Sequence, residues 1–214
     1  MFASYRPSLD PADILPRRLY ERIRRRYTEA MIAFKQPRRV ALGDTTLVFE
    51  CRETVLFLIH ELARAENLSD EGLARALDEY VCLVPEPGQL TATLFIDGGT
   101  AAWGASLAQR IGSGDDVVAL RVGPHRVRAR VAAPAADPAC PVHYLAFTLS
   151  AGQRALLLDR NEEGALELVE PHGRHLQRLS WRTRTALRQD LRGPWVRPPI
   201  MATLLGHEAA QPAA

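Results

Sequence analysis

Apolar residues change their spacing near the middle of this chain, and that change constrains the fold more than any other feature. Apart from Thr45 to Glu50 they recur up to Tyr80 at three- and four-residue steps, and from Leu90 alternation sets in. The first spacing lines one face of a helix and the second lines one face of a strand, so a helical first half must meet a sheet-rich second half. After Pro16, which suits a first helical turn, Leu19, Ile23, Tyr27, Ala30, Met31 and Phe34 predict an amphipathic helix ending before Pro37. Arg18, Arg22, Arg25 and Arg26 occupy its other face, with Glu21 one turn before Arg25. A second helix is expected from Arg52 to about Glu66, with Val55, Leu58, Ile59 and Leu62 inward and Leu56 and Phe57 widening that stripe. Ser69 caps a third, carrying Leu73, Leu77, Tyr80 and Val81, which Pro85 and Pro87 end.

Strand signals begin at Thr45 to Glu50 and resume with Leu90, Ala92, Leu94 and Ile96. Thr100 caps a short helix through Trp103, Leu107 and Ile111, and two strands then meet at Gly123-Pro124. In the second of these Val127, Ala129 and Val131 point one way and Arg126, Arg128 and Arg130 the other, giving a core face and a basic face. A loop from Ala133 to Pro141 leads to an apolar strand, Val142 to Leu149, and Ser150 with Gln153 has capping-box spacing. Leu166 to Glu170 and Arg174 to Leu179 predict a hairpin about His172-Gly173, and Ser180 caps a last helix through Ala186, Leu187 and Leu191. No internal repeat or domain-scale linker interrupts this order. The expectation is one α+β domain over residues 9–192, its N-terminal helical half packed on a mainly antiparallel sheet with a C-terminal helix, followed by a Pro/Ala-rich tail at 193–214.

Charge is placed unevenly. Residues 17–39 carry nine basic groups against Glu21 and Glu29, whereas residues 50–86 carry nine acids against Arg52, Arg64 and Arg75. Packing these segments together would cancel much of both charges. Of the 27 basic residues all but Lys35 are arginine, and residues 174–197 hold seven of them against Asp190 alone. No apolar stretch approaches the roughly 20 residues of a membrane span, and the N-terminus lacks the apolar core of a signal peptide. Cys51, Cys82 and Cys140 are odd in number and widely spaced, as reduced thiols of a cytoplasmic protein would be.

Motifs for familiar chemistry are missing. There is no GxxxxGK[ST] or GxGxxG phosphate loop, and Gly104-Ala105-Ser106 lacks the closing glycine of a nucleophile elbow. His143, His172 and His175 are the best candidate metal ligands, since three imidazoles suffice for a catalytic site with an open position; neither Cys82 nor Cys140 has the spacing of a fourth, structural ligand. Cys51, near a helix start and beside Arg52, is the candidate reactive thiol. His60 and Glu61 adjoin on the second helix without the Glu-x-x-His pair of ferritin-like iron sites. Arg126, Arg128 and Arg130 are the candidate anion- or partner-binding residues, and no cofactor is expected.

Several segments, in this order, resemble the bacterial family termed domain of unknown function 3501: Asp13-Ile14-Leu15 with Tyr20, Arg39-Val40-Ala41-Leu42-Gly43, and Phe49-Glu50-Cys51-Arg52-Glu53-Thr54-Val55 running to Glu61, Arg64 and Glu66. Tyr80, Leu83-Val84-Pro85, Leu90-Thr91-Ala92-Thr93-Leu94, Val142-His143-Tyr144-Leu145 and Arg174-His175 extend the resemblance over nearly the whole chain. At Cys51 the family more often has Asn or Asp. Members are often encoded beside a rubrerythrin-like diiron protein and an iron–sulfur oxidoreductase similar to heterodisulfide reductase subunits, which implies a role in oxidative stress or electron transfer and assigns no catalytic residue. The expected function is therefore that of a non-enzymatic accessory protein binding a rubrerythrin-like or iron–sulfur metalloprotein. Two alternatives stand beside it: a small metal- or thiol-dependent enzyme using the histidines or Cys51, and a nucleic-acid or polyanion binder using the three strand arginines and the last helix, for which no recognition motif is present.

Overall fold

The computed structural model describes residues 9–133, 137, 140–170, 173–192 and 200–209. Its helices are α1 (Arg17–Lys35), α2 (Arg52–Ala65), α3 (Asp70–Tyr80), α4 (Ala101–Gly112), α5 (Ala151–Leu158), α6 (Trp181–Arg192) and α7 (Ile200–Ala209). Its strands are β1 (Arg39–Leu42), β2 (Thr45–Glu50), β3 (Gln89–Ile96), β4 (Val118–Val122), β5 (His125–Arg128), β6 (Arg130–Ala133), β7 (Val142–Thr148), β8 (Gly164–Glu170) and β9 (Gly173–Arg178). The fold is α+β, and every strand pairing is antiparallel.

The strands form two sheets rather than one: β1-β2-β3-β7-β6 and β5-β4-β8-β9. Leu47, Phe49, Leu90, Leu94, Leu145 and Phe147 of the first share a core with Val118, Leu120, Val122, Val127, Leu166 and Leu168 of the second, and α4, α5 and α6 add Leu107, Ile111, Leu157, Leu187 and Leu191. The single strand expected from residue 126 onward is divided at Ala129. Its N–H still donates to Val118 O at 2.8 Å in the four-stranded sheet, while the next residue, Arg130, pairs with Ala146 in the five-stranded one. A small residue at the crossing lets one chain serve both sheets and stitch their edges together.

The outer face of the five-stranded sheet is covered by helices. Val55 and Ile59 of α2 pack with Leu77, Leu83 and Val84, and Tyr144 of β7 joins them. Farther out, α1 buries Tyr20, Ile23, Tyr27 and Met31 against Phe57, and Met201 of α7 completes the cluster. That helix falls in the stretch expected as a tail. Its apolar residues Ile200, Met201, Leu204 and Leu205 share one side at one-turn spacing and pack on α1, and the Glu53 carboxylate accepts the Ile200 N–H at 3.0 Å.

The acidic and basic segments do meet, though through different arginines from those the helical pattern emphasised. Arg24 grips Glu61 with two hydrogen bonds of 2.9 and 2.8 Å, the Tyr20 hydroxyl donates to the same carboxylate at 2.7 Å, and Arg64 lies 3.5 Å away. Arg25 is exposed and pairs with Glu29 of its own helix. A second long-range tie joins Arg38, 3% exposed, to Asp190 of α6 through bonds of 2.7 and 2.9 Å.

Candidate functional site

Side chains alternate across a strand and directly paired residues share a face, so the registers of the four-stranded sheet determine what its outer surface displays. Arg126, Arg121, Ala165 and Arg178 are paired in one row, and Arg128, Ala119, Glu167 and Leu176 in the next; Arg174 pairs with Val169 in the row after that. One surface thus carries five arginines, 121, 126, 128, 174 and 178, around a single buried glutamate. Ala119 and Ala165, the small residues between them, let the arginine stems lie flat and cover Glu167, which is 1% exposed.

Glu167 organises this surface. Arg126 Nε donates to it at 2.7 Å, Arg121 approaches to 3.4 Å and Arg174 to 3.9 Å. Burial works against its charged form, but the Arg126 hydrogen bond and the charges of Arg126, Arg174 and Arg121 outweigh burial and hold the carboxyl below its ordinary range. Asp116 pairs with Arg126 at 2.5 Å and stands 4.0 Å from Arg128, whose guanidinium also donates to Gly114 O. Arg178 and Glu163 form an exposed pair at 3.3 Å. Among the described residues, three carboxylates therefore answer five guanidinium groups. Leu176, 57% exposed, projects between Arg174 and Arg178.

The sequence-level candidates Arg126, Arg128 and Arg130 line one cleft of about 770 Å³ beside this face, between the α4–β4 loop and the β5–β6 strand, with Thr148 and Gln153 on its far wall. Arg130 lies beyond the crossing at Ala129 and is exposed. Sequence reasoning missed Arg121, Glu167, Arg174, Leu176 and Arg178. The alternation Ala119-Leu120-Arg121 carried a signal, but only the register aligns it with β5, β8 and β9.

Two of the three candidate metal ligands, His143 and His175, sit on strands of different sheets. His143 is buried on β7, hydrogen-bonded to the Cys140 backbone, and burial lowers its pKa. His175 sits on the edge strand β9, half exposed, with Nε2 3.5 Å from Glu170 and its ring against Gly43, whose φ of +60° suits glycine at the β1–β2 turn. His172 lies outside the described residues. Among the described residues, no group of three or more His, Cys, Asp and Glu side chains is arranged to hold a metal. His60 has a structural role: its Nδ1 faces Leu56 O at 2.7 Å and its Nε2 accepts the Leu15 N–H at 3.0 Å, which fixes a neutral tautomer stacked on Tyr20.

Cys51 occupies the N-cap of α2, where its N–H donates to Thr54 Oγ1 at 2.9 Å. Asn and Asp are favoured at such a cap. Burial pushes the thiol up to about 11 despite the opposing charge of Arg38, while Arg52 is committed to Asp13 at 2.5 Å. The thiolate expected from the helix start is thus suppressed by desolvation.

Two of the four arginines of α6 are spent on the fold. Arg184 donates to Glu162 O, Arg188 to Leu157 O and Asp159 O, and Arg154 of α5 to Leu191 O. These bonds satisfy carbonyls at and just beyond helix ends and leave little of the continuous basic helix that a phosphate backbone would need.

A family model described as protein of unknown function (DUF3501) matches residues 8–191. The chain belongs to this family. A crystal structure described as a novel protein of unknown function from Burkholderia pseudomallei K96243 is similar at 30% identity, with a TM-score of 0.76, over 86% of this chain and 99% of that one. No curated protein matches. Within the DUF3501 frame α7 lies beyond the matched residues, whereas every strand of the arginine-bearing sheet lies inside them. No helix among the described residues is long and apolar enough to cross a membrane.

Proposed function

We propose that this DUF3501 protein is a non-enzymatic docking protein of the cytoplasm that binds an acidic protein partner through the outer face of its four-stranded sheet. The observation that carries the reading is the cluster of five arginines with an exposed leucine on one open surface. Guanidinium groups pair with carboxylates in a fixed, two-pronged geometry, and the interactions of Glu167 and Asp116 orient Arg126 before a partner arrives. Leu176 gives such an interface an apolar anchor within a polar rim, a pattern that suits protein better than nucleic acid. The family resemblance points to a rubrerythrin-like or iron–sulfur partner and hence to a redox or oxidative-stress role, in which complementary charge would speed a transient encounter.

The test is titration calorimetry of the purified protein against the host's rubrerythrin-like protein, at low and moderate salt. Binding should weaken as salt rises and fall at least about tenfold in an Arg174→Glu, Arg178→Glu double variant, because each reversal sets like charges across the interface. Equal affinity in wild type and double variant would refute this surface as the docking site.

A further inference from the structure

A second surface, sharing no residue with the arginine face, has the properties of a peptide-binding groove. It lies where the end of α1, the turn at residues 36–38 and the start of α6 meet, and encloses about 580 Å³. Ala33, Phe34, Pro37 and Ala186 supply apolar lining; Arg38, Arg39 and Arg182 are its charged groups, and among the described residues no carboxylate lines it.

Trp181 stands at one end and is 66% exposed, one of three large hydrophobic side chains left so open among the described residues. A tryptophan normally withdraws much of its ring from water, so this exposure is costly unless something covers it. The Arg182 guanidinium lies 5.5 Å from the Trp181 ring centroid, leaving an aromatic and a cation side by side at the rim. Arg39 is 62% exposed and makes only long contacts, 3.4 Å to Thr46 Oγ1 and 3.8 Å to Asp97, itself 45% exposed, which are too weak to withhold it from a ligand.

Two further features point to an anionic occupant. Ser180 Oγ accepts the Thr183 N–H at 3.0 Å, so the positive end of the α6 dipole is formed and directed to this region. Beneath it Arg38 is stacked on Phe34 at 4.4 Å and paired with Asp190, yet its Nε–H, on a side chain 3% exposed, has no hydrogen-bond partner among the described residues. This donor, one of several such buried groups among the described residues, is free to take an acceptor.

We propose that this groove binds an acidic peptide segment that carries a large apolar side chain. The apolar residue seats against Phe34, Pro37 and Trp181, and flanking carboxylates meet Arg39 and Arg182. Charge complementarity selects this occupant: Asp190 neutralises Arg38, but a basic segment would still face Arg39 and Arg182, and no Asp or Glu among the described residues lines the groove. An open groove with an apolar floor and a cationic rim also fits a peptide better than a mononucleotide, for which the chain has no phosphate loop.

The experiment pans a random dodecapeptide display library on the full chain and measures the selected peptides by fluorescence anisotropy. Enriched sequences should combine two or more acids with an aromatic or long aliphatic residue. Their affinity should drop about tenfold or more for Trp181→Ala and for Arg182→Glu, as expected of a central Trp/Arg pair, and stay unchanged for the Arg174→Glu, Arg178→Glu variant. Trp181 is exposed, so its removal leaves the fold intact, which circular dichroism checks. Absence of enrichment, enriched peptides that bind Trp181→Ala as well as wild type, or peptides that lose affinity only with the Arg174/Arg178 variant would each overturn the proposal. The last outcome would leave the arginine face standing, so the two surfaces fail separately.

Discussion

Replacing Glu61 with Gln removes one negative charge from the junction of α1 and α2 and keeps the side chain's shape. Arg24, Tyr20 and Arg64 together stabilise the ionised carboxylate. The Arg24 hydrogen bond is the largest contribution and burial opposes it; the net result pulls the carboxyl down from 4.5 to about 2. A depression of that size is worth about 3 kcal/mol at neutral pH, and solvent screening at Arg24, 37% exposed, trims it to about 2–3 kcal/mol. Because the folded value lies below the unfolded one, this stability is fully present above about pH 4.5 and lost as pH falls through about 2. Glu61→Gln should therefore cost about 2–3 kcal/mol at pH 7, a fall in Tm of roughly 4–12 °C, and the gap between variant and wild type should shrink to less than half by about pH 3. Urea unfolding across that pH range reads it directly. A gap below about 1 kcal/mol at pH 7, or one that stays constant as the wild-type carboxyl protonates, would refute the claim that this ion pair holds the basic helix to the acidic one.

Two further outcomes test the buried polar ties. Asp190→Ala should cost about 3–5 kcal/mol, because it strands the Arg38 guanidinium without its carboxylate, and the double variant Arg38→Met, Asp190→Leu should recover most of that loss in the same urea titration. With its pKa near 11, Cys51 should be roughly 0.1% thiolate at pH 8 and be alkylated by iodoacetamide far more slowly than an unhindered model thiol, as read by peptide mass mapping; modification at the model rate would revive the thiol-dependent reading.

The helices were legible in the sequence because their determinants are local. Pro16 and Pro37 bracket α1, Ser69 caps α3 through the Gly72 N–H, Thr100 caps α4 through the Trp103 N–H, and Ser150 with Gln153 closes the box at α5. Strand alternation was equally local, so the opposition of Val127 to Arg126 and Arg128 could be read from spacing alone. The helix α7 escaped because prolines at 194, 198 and 199 suggested a tail, while the α1 surface that stabilises it is far away in sequence.

The sequence by itself determined where helix gives way to strand except at β1, which strand faces are apolar, and that one strand is basic on its other side, since these follow from repeats of two or about four residues and from caps next to the elements they end. Only the tertiary structure decided that the strands divide into two sheets at Ala129, that β4, β5, β8 and β9 align five arginines around Glu167, that Arg24 is the residue that finds Glu61, and that burial raises the pKa of the Cys51 thiol. Each of these depends on strand register, or on how far water is excluded from a charge, and both are set by contacts between residues dozens of positions apart.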